Sequence, residues 1–455
     1  MNKENKLKLT FYGGVGEVTG ANYLLEDKDI KILVDCGLFQ GGSFDDIRNR
    51  EPFPYNPSDI DILFVTHAHL DHIGRIPKLV KDGFSGVIYS TPSTKEISEI
   101  SLIDSLGILS KEAKKKGVPL LYEKKDALKA FSLWKTIPYK TSIKINNELN
   151  AVFKDAGHIL GSAMVEFSRK GEKIVFTGDL GNSPSPLLKD TEKIYDAYYL
   201  IIESVYGDKN HESAESRIDI LKNAIENTIK KGGALLIPAF SIERTQVLLY
   251  EINNLVESGV IPSVPVFLDS PFAIKVTKIY KDKINNFNKG AREEINSGDD
   301  IFDFPQLKFT ENHKDSLKIA NMPNPKIIIA GSGMSNGGRI LSHEKRHLSD
   351  PNSALLIVGF QASGSIGRMI QDGAKEVLID NEHIPVRASI INLQGFSSHK
   401  DSDNLLDFVS DTSNTVKKVF VVMGEPKSAL FLVQKIRDCL NVNAIAPNLG
   451  ESSFL

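Results

Sequence analysis

Short apolar runs bounded by turn residues dominate the first 205 residues of the chain. Runs of this length are typical of buried β-strands. They predict strands at residues 30–34, 61–66, 87–89, 173–177 and 198–202. The stretch 94–134 instead has the length and lysine-rich composition of a helical segment with a solvated face.

From about His211 the pattern changes to a longer alternation of helical and strand segments. It predicts helices at 213–230 and 245–258, and strands at 234–237, 264–268, 326–330 and 354–358. This βα rhythm favours a parallel sheet. After about Asn381 short strands return, with one helix at 430–439.

The change of rhythm predicts an α/β block set inside a split outer domain. We expect the first part of the outer domain at residues 1–207, the inserted domain at 208–384 and the rest of the outer domain at 385–455.

Composition limits the environment and the partners. The chain is 41% hydrophobic and 25% charged, which is ordinary for a globular protein. Its net charge of −3 provides no global field for a polyanion, so nucleic acid must be gripped locally. Two cysteines suit a reducing compartment, and no apolar run approaches the ~20 residues that span a bilayer. We therefore expect a cytoplasmic protein without a membrane partner.

Four candidate metal ligands follow the predicted strand at 61–66: His67, His69, Asp71 and His72. His67 and His69 can point the same way, whereas the adjacent Asp71 and His72 must diverge. The loop therefore favours two metal ions over one. Imidazole and carboxylate donors suit first-row ions, of which zinc is the commonest choice.

Two metals need further donors. His158 lies in a glycine-containing turn just before an apolar segment, and Asp179 and Asp35 each end a predicted strand. A lone Asp at such a position is often only a polar turn residue. Beside the histidine loop, all three become candidates for the same site.

The order Asp35, His67-x-His69-x-Asp71-His72, His158 and Asp179 resembles the metallo-β-lactamase superfamily. The resemblance implies an αβ/βα sandwich with the ligands at one edge. It also implies two zinc ions per chain. The first zinc would be bound by His67, His69 and His158, the second by Asp71 and His72, with Asp179 bridging and Asp35 supporting from behind.

Further segments resemble the β-CASP nucleases of that superfamily. The sequence 202–207 (IESVYG), which contains Glu203, is similar to their acidic motif A, and 395–401 (GFSSHKD), which contains His399, to their histidine motif B. The segments 238–241, 244–246, 268–271, 331–334 and 337–339 are similar to segments of the RNA-processing branch. The resemblance implies an inserted β-CASP α/β domain and catalytic roles for Asp35, Asp71, Asp179, Glu203 and His399.

Motif C departs from that family, because Met423 stands where RNA-acting members have a histidine ligand. A thioether is a poor zinc ligand beside carboxylate and imidazole, so Met423 should weaken the second site. The alternative is that Met423 packs beneath the site and water completes the coordination. DNA-acting members resemble this chain in having an apolar residue at the position.

A polyanion also needs local contacts. The glycine-rich turn 331–338 lies between a predicted strand and a helix starting near Arg339, where backbone N–H groups can meet a phosphate. Turns of this kind also serve tight packing alone. The candidate substrate contacts are Arg244, Ser332, Gly333, Arg339, Arg368 and Lys400.

Together these features predict a zinc-dependent ribonuclease that cleaves RNA by water attack and leaves 5′-phosphate and 3′-hydroxyl ends. In this scheme His399 donates a proton to the leaving oxygen and Glu203 holds the imidazole. The alternatives are a hydrolase of small esters or lactams, an RNA-binding paralogue and a DNA nuclease. RNA is the expected partner, and a homodimer is consistent with the resemblance.

Overall fold

A computed structural model of the protein describes residues 6–40 and 47–455. Residues 1–5 and 41–46 lie outside the described residues. The first sheet has seven strands and begins with antiparallel neighbours before it turns parallel. In spatial order the strands are Ser452–Phe454, Lys8–Gly13, Asn22–Asp27, Ile30–Val34, Ile62–Phe64, Val87–Ser90 and Trp134–Thr136.

A second seven-stranded sheet packs face to face on the first across an apolar layer that includes Phe11, Phe64, Phe153 and Phe420. Its strands combine distant parts of the chain, since Tyr199–Ile202 pairs in parallel with Lys418–Val421. In spatial order they are Ala444–Ile445, Lys418–Val421, Tyr199–Ile202, Glu172–Phe176, Ala163–Arg169, Leu149–Asp155 and Ile143–Lys144.

Helices cover the outer faces of both sheets and complete the predicted αβ/βα sandwich. They are Leu70–Ile73, Ile76–Lys81, Pro92–Lys116, Lys124–Ser132, Ser402–Ser410 and Pro426–Leu440. Among the described residues, no helix combines the length and apolar character needed to cross a membrane.

The helical segment predicted at 94–134 is two helices and the start of a strand. Pro92–Lys116 ends at Gly117, which has the left-handed conformation (φ 67°) common just after a helix. A second helix spans Lys124–Ser132. Trp134, whose indole is buried, is the first residue of a strand. The prediction of a single helix after Asn381 was also wrong, because Ser402–Ser410 precedes Pro426–Leu440.

The middle of the chain forms a six-stranded, all-parallel sheet, as the βα rhythm predicts. In spatial order the strands are Leu307–Phe309, Val266–Asp269, Lys326–Ala330, Ala234–Pro238, Ala354–Ile357 and Ser389–Asn392. A separate hairpin joins Glu376–Ile379 to Glu382–Pro385. The helices are Ala214–Lys231, Arg244–Glu257, Pro271–Lys281, Lys289–Asn296, His313–Ile319, Ile340–His347 and Ile366–Gln371.

The inserted sheet directs one edge towards the metal-ligand loops of the outer domain. The strands Ala234–Pro238 and Lys326–Ala330 end beside the segments that carry Phe240 and Ser332, and both residues line a cleft together with His69. The carboxyl ends of parallel strands are a common ligand-binding edge. The carboxyl-end edge of the inserted sheet and that of the first sheet, where the histidine loop follows Ile62–Phe64, therefore meet at one cleft.

Candidate active site

The histidine loop lies between the strand Ile62–Phe64 and the short helix Leu70–Ile73. His67 and His72 are buried, and the backbone oxygen of His69 accepts a hydrogen bond of 3.0 Å from the N–H of Ile73. Because a strand and a helix fix the two ends of the loop, its side chains are held at defined positions.

Four donor atoms converge at this loop, one each from His67, His69, His158 and Asp179, all within 4.8 Å of one another. His69 Nδ1 is 3.1 Å from Nε2 of His67 and 3.2 Å from Nε2 of His158. Asp179 Oδ2 lies 3.4 and 3.5 Å from the same two Nε2 atoms. Neighbouring donors around a tetrahedral zinc ion with bonds of about 2.0–2.1 Å are about 3.3 Å apart. The separations therefore fit zinc.

A second donor group shares Asp179 and adds Asp71 and His72. Asp179 Oδ1 is 3.3 Å from His72 Nε2, and Asp71 Oδ2 is 4.0 Å from that nitrogen. Within the described residues, His72 Nε2 and Asp179 Oδ1 are buried without a hydrogen-bond partner. Because unpartnered buried polar atoms are costly, a cation between them would relieve both. Asp179 thus faces both donor groups, one oxygen to each.

Asp35 orients this site from behind. Its carboxylate accepts hydrogen bonds of 2.8 Å from both the N–H and the Oγ1–H of Thr66, and one of 2.7 Å from His72 Nδ1. A proton on Nδ1 leaves the Nε2 lone pair of His72 free for a metal. His158 is fixed similarly, since its Nδ1 donates to the backbone oxygen of Ser398 at 2.9 Å.

Glu203 and His399 are in contact although 196 residues separate them in the sequence. His399 Nδ1 lies 3.1 and 3.2 Å from the two carboxylate oxygens, and Glu203 also accepts a bond of 2.6 Å from the N–H of Leu180. Burial raises the pKa of Glu203. Burial opposes the charged imidazole, but the Glu203 carboxylate outweighs this and raises the pKa of His399.

A cleft of about 270 Å³ separates the metal-ligand loops from the inserted domain. His69, Asp71, Asp179 and His399 line one wall. The opposite wall comes from the inserted domain and includes Phe240, Ser241, Arg244, Ser332, Gly333, Met334 and Phe360.

Comparison with known proteins places this architecture in a family. Models of a metallo-beta-lactamase superfamily domain, a Beta-Casp domain and a Zn-dependent metallo-hydrolase RNA specificity domain match residues 24–197, 245–370 and 383–447. Ribonuclease TTHA0252 of Thermus thermophilus is 34% identical over 94% of this chain and 95% of its own length. The chain belongs to the β-CASP group of the metallo-β-lactamase superfamily.

Other relatives extend over nearly the whole chain. Transcription termination factor FttA of Methanosarcina mazei is 32% identical over 98% of this chain and 71% of its own. A protein of unknown function from Enterococcus faecalis V583 has a solved structure with a TM-score of 0.55 and 15% identity. The match covers 99% of this chain and 100% of that one, and it bears on the fold alone.

The predicted basic contacts occupy different places in the β-CASP architecture. Arg244 is 4% exposed and lines the cleft, and its Nε and Nη1 have no hydrogen-bond partner in the described part of the chain. Arg339 donates to Asp269 Oδ1 at 2.7 Å, Arg368 to Asp372 Oδ2 at 2.9 Å, and Lys400 to Ser183 Oγ at 3.0 Å. Of the four, Arg244 is the one that lines the cleft.

Met423 lies in the apolar layer between the two sheets of the lactamase fold, 2% exposed, together with Tyr23, Phe176 and Val422. It also borders a small cavity that Asp35 and His72 line. The thioether therefore packs behind the second donor group.

Residues that the sequence analysis did not single out also support the site. One is Ser398, whose carbonyl holds His158. The other is His211, whose Nε2 donates to the backbone oxygen of His399 at 3.1 Å. The backbone carbonyl of Ser398 acts independently of residue type and leaves no sequence signal. His211, eight residues after Glu203, could have been noticed as a second histidine near motif A.

Tyr280 of the β-CASP domain connects that domain to the His158 loop. Its hydroxyl donates to Glu243 Oε2 at 2.6 Å and accepts from the N–H of Leu160 at 3.1 Å. We expect Tyr280→Phe to lower the free energy of unfolding by about 1–3 kcal/mol, since buried Glu243 and Leu160 groups lose a partner. Urea unfolding of the zinc-loaded protein measures this. Tyr195→Phe, at a 63% exposed site, is the control, and equal effects of the two changes would contradict the role.

Glu344 supports the glycine-rich turn through a hydrogen bond from the hydroxyl of Ser335. Burial raises the pKa of Glu344 to about 8. The folded state therefore holds a proton that the unfolded chain releases near its ordinary pKa of ~4.3. This contribution to stability is complete below that pKa and is lost as the pH rises through about 8.

We therefore expect the wild type to lose stability relative to Glu344→Gln between pH 5 and 8, by at most about 1.4 kcal/mol per pH unit for one proton. Urea unfolding of both proteins at several pH values measures the difference in their free energies of unfolding. The contributions of the other titrating groups are the same in both proteins and cancel. A difference that does not change with pH would contradict the shift.

Proposed function

We propose that this protein is a zinc-dependent ribonuclease that hydrolyses RNA phosphodiester bonds and leaves 5′-phosphate and 3′-hydroxyl ends. The observation that carries the proposal is the sharing of Asp179 by two metal-donor groups, beside the Glu203–His399 pair and opposite Arg244 in one cleft. The RNA specificity domain model and the ribonuclease relative support RNA as the substrate.

His67, His69, His158 and Asp179, with Asp71 and His72, would hold zinc, which would supply Lewis-acid stabilisation of a phosphoryl oxygen and an activated water. The chain itself holds the donors in place: Asp35 fixes His72, and the Ser398 carbonyl fixes His158. Arg244 faces the same cleft with an unpaired guanidinium, which offsets negative charge on the phosphate.

His399 supplies the proton for the leaving group. Its Nδ1 is bound to Glu203, so the opposite nitrogen is free to face the cleft that His399 lines. As the bond between phosphorus and the 3′-oxygen breaks, a proton from Nε2 passes to that oxygen, while the attacking water bonds to the phosphorus and releases one proton to solvent. His399 then takes up a proton from solvent. Glu203 is a positioning residue in this scheme, since it acts through His399.

Matched RNA and DNA oligonucleotides of one sequence test this function. With zinc present, we expect the RNA to be cut to products with 5′-phosphate ends and the DNA to remain intact. A chelator should abolish cleavage. Cleavage of DNA at an equal rate would identify a nuclease of broader or different substrate class, and RNA cleavage that survives complete chelation would overturn the metal mechanism.

The zinc content is expected to be about one per chain, because Met423 cannot donate to the second group as histidine can. We expect Met423→His to raise the content to about two. Met423 has φ 47°, a left-handed conformation that histidine adopts more readily than most residues. Elemental analysis of both proteins at saturating zinc measures the change, with Met369→His at a 43% exposed site as the control. Two ions in the wild type would contradict the weak second site.

We further propose that the chain divides into a first part of the outer domain at residues 1–207, an inserted domain at 208–384 and the rest of the outer domain at 385–455. The last part also contributes the strand Ser389–Asn392 to the inserted sheet.

We also propose that the protein forms a homodimer. Sedimentation equilibrium of the purified chain tests this.

A further inference from the structure

Three phenylalanine rings, those of Phe240, Phe272 and Phe360, line the cleft and are each only half-buried. None of the three rings takes part in the proposed cleavage step. Three partly exposed aromatic rings in one cleft beside a catalytic centre together form an apolar surface that a ligand can cover.

Phe240 is packed firmly into the wall of the cleft. A Cβ added to Gly333 would lie 2.7 Å from its Cδ2, and one added to Gly359 would lie 3.2 Å from its Cε2. The ring therefore packs against the backbone at two glycines. A side chain at Gly333 would displace it, and one at Gly359 would crowd it. The backbone oxygen of Phe240 is held as well, since it accepts a bond of 2.8 Å from Thr245 Oγ1.

The surroundings of Phe240 identify the occupant. Arg244 begins the helix that follows Phe240, and its buried, unpaired guanidinium lines the same cleft as the ring. Asp179 and His399 line it too. An anion site, a planar apolar surface and a phosphodiester-cleaving centre in one cleft match the alternating phosphate and base of a single nucleic-acid strand.

We propose that Phe240 is a stacking platform for one unpaired base of single-stranded RNA next to the scissile phosphate, with Phe360 on the same base or its neighbour. This inference rests on the proposed ribonuclease function and narrows its substrate to unpaired RNA. A base inside a duplex is already stacked on both faces and cannot use the ring, so the platform selects single strands.

The test combines a protein change with a substrate change. The substrate is a single-stranded RNA oligonucleotide that the enzyme cleaves. It is compared with versions that carry one abasic ribonucleotide at successive positions around the cleavage site. For intact RNA we expect Phe240→Ala to raise KM about 10-fold, the order expected for one lost base–aromatic stack, with little change in kcat. Phe240→Tyr should retain the wild-type KM, because its ring can still stack.

At one abasic position the effect of Phe240→Ala should disappear, since the base that stacks is already gone. A merely structural role predicts an equal loss on intact and abasic RNA at every position, and that result would overturn the proposal. Cleavage of the fully paired RNA as fast as the single strand would also overturn it.

Phe309→Ala, a 39% exposed ring of the same domain outside the cleft, is the matched control and should leave KM unchanged. Zinc content and thermal midpoint are measured for every variant, and Phe240→Leu replaces Phe240→Ala if the latter unfolds. If the wild type cuts no RNA, the ribonuclease function fails. If it cuts RNA without base-dependent coupling to Phe240, the platform alone fails.

Discussion

We expect replacement of His399 with alanine to lower kcat for RNA by about 10²–10⁴-fold, the usual contribution of a general acid, and to leave the zinc content unchanged. His399 Nδ1 is bound to Glu203 and lies 3.9 Å from Asp179 Oδ2. The imidazole therefore lies beside the ligand set that the other histidines form, and its loss should remove the proton donor alone.

Steady-state kinetics and elemental analysis of the same preparation measure this result. His383→Ala is the control, because that imidazole is exposed and pairs with Glu376 on a hairpin of the inserted domain. Glu203→Gln should produce a smaller loss of kcat than His399→Ala, since it weakens only the orientation of the imidazole. Turnover that is unchanged in His399→Ala would remove the proposed role, and a parallel loss of zinc would make His399 a metal ligand instead.

We expect replacement of Asp179 with asparagine to lower both zinc content and activity, the latter by at least about 10³-fold, because several kcal/mol of transition-state stabilisation is lost. One carboxylate oxygen faces His67 and His158 and the other faces His72. Asparagine keeps the shape but has no charge and offers only one oxygen, so one donor group loses its oxygen ligand and the other keeps only a neutral amide oxygen.

The activity remaining in Asp179→Asn should equal that of chelated wild type, and added zinc should restore the wild type but not the variant. Asp196→Asn is the control, since Asp196 forms an exposed ion pair with Lys173. Full zinc content in Asp179→Asn would contradict the shared-ligand arrangement. Normal activity with reduced zinc would instead show that one donor group suffices.

The sequence determined the local part of this site. His67, His69 and Asp71 follow one short strand, and Asp179 follows another. The apolar runs predict the ends of both strands to within one or two residues. Their order also identified the family. Such features are accessible from sequence because a strand and the loop that follows it form from adjacent residues, whose spacing limits where the side chains point.

The tertiary structure decided what each side chain meets. Arg244 and Arg339 are equally basic in the sequence, yet only the first lines the cleft, because Asp269 from another strand binds the second. The contact between Glu203 and His399, and the packing of Phe240 on Gly333, likewise join segments far apart in the chain. These relations depend on how two domains and three sheets are assembled, and residue spacing holds no information on that assembly when the intervening chain can take many paths.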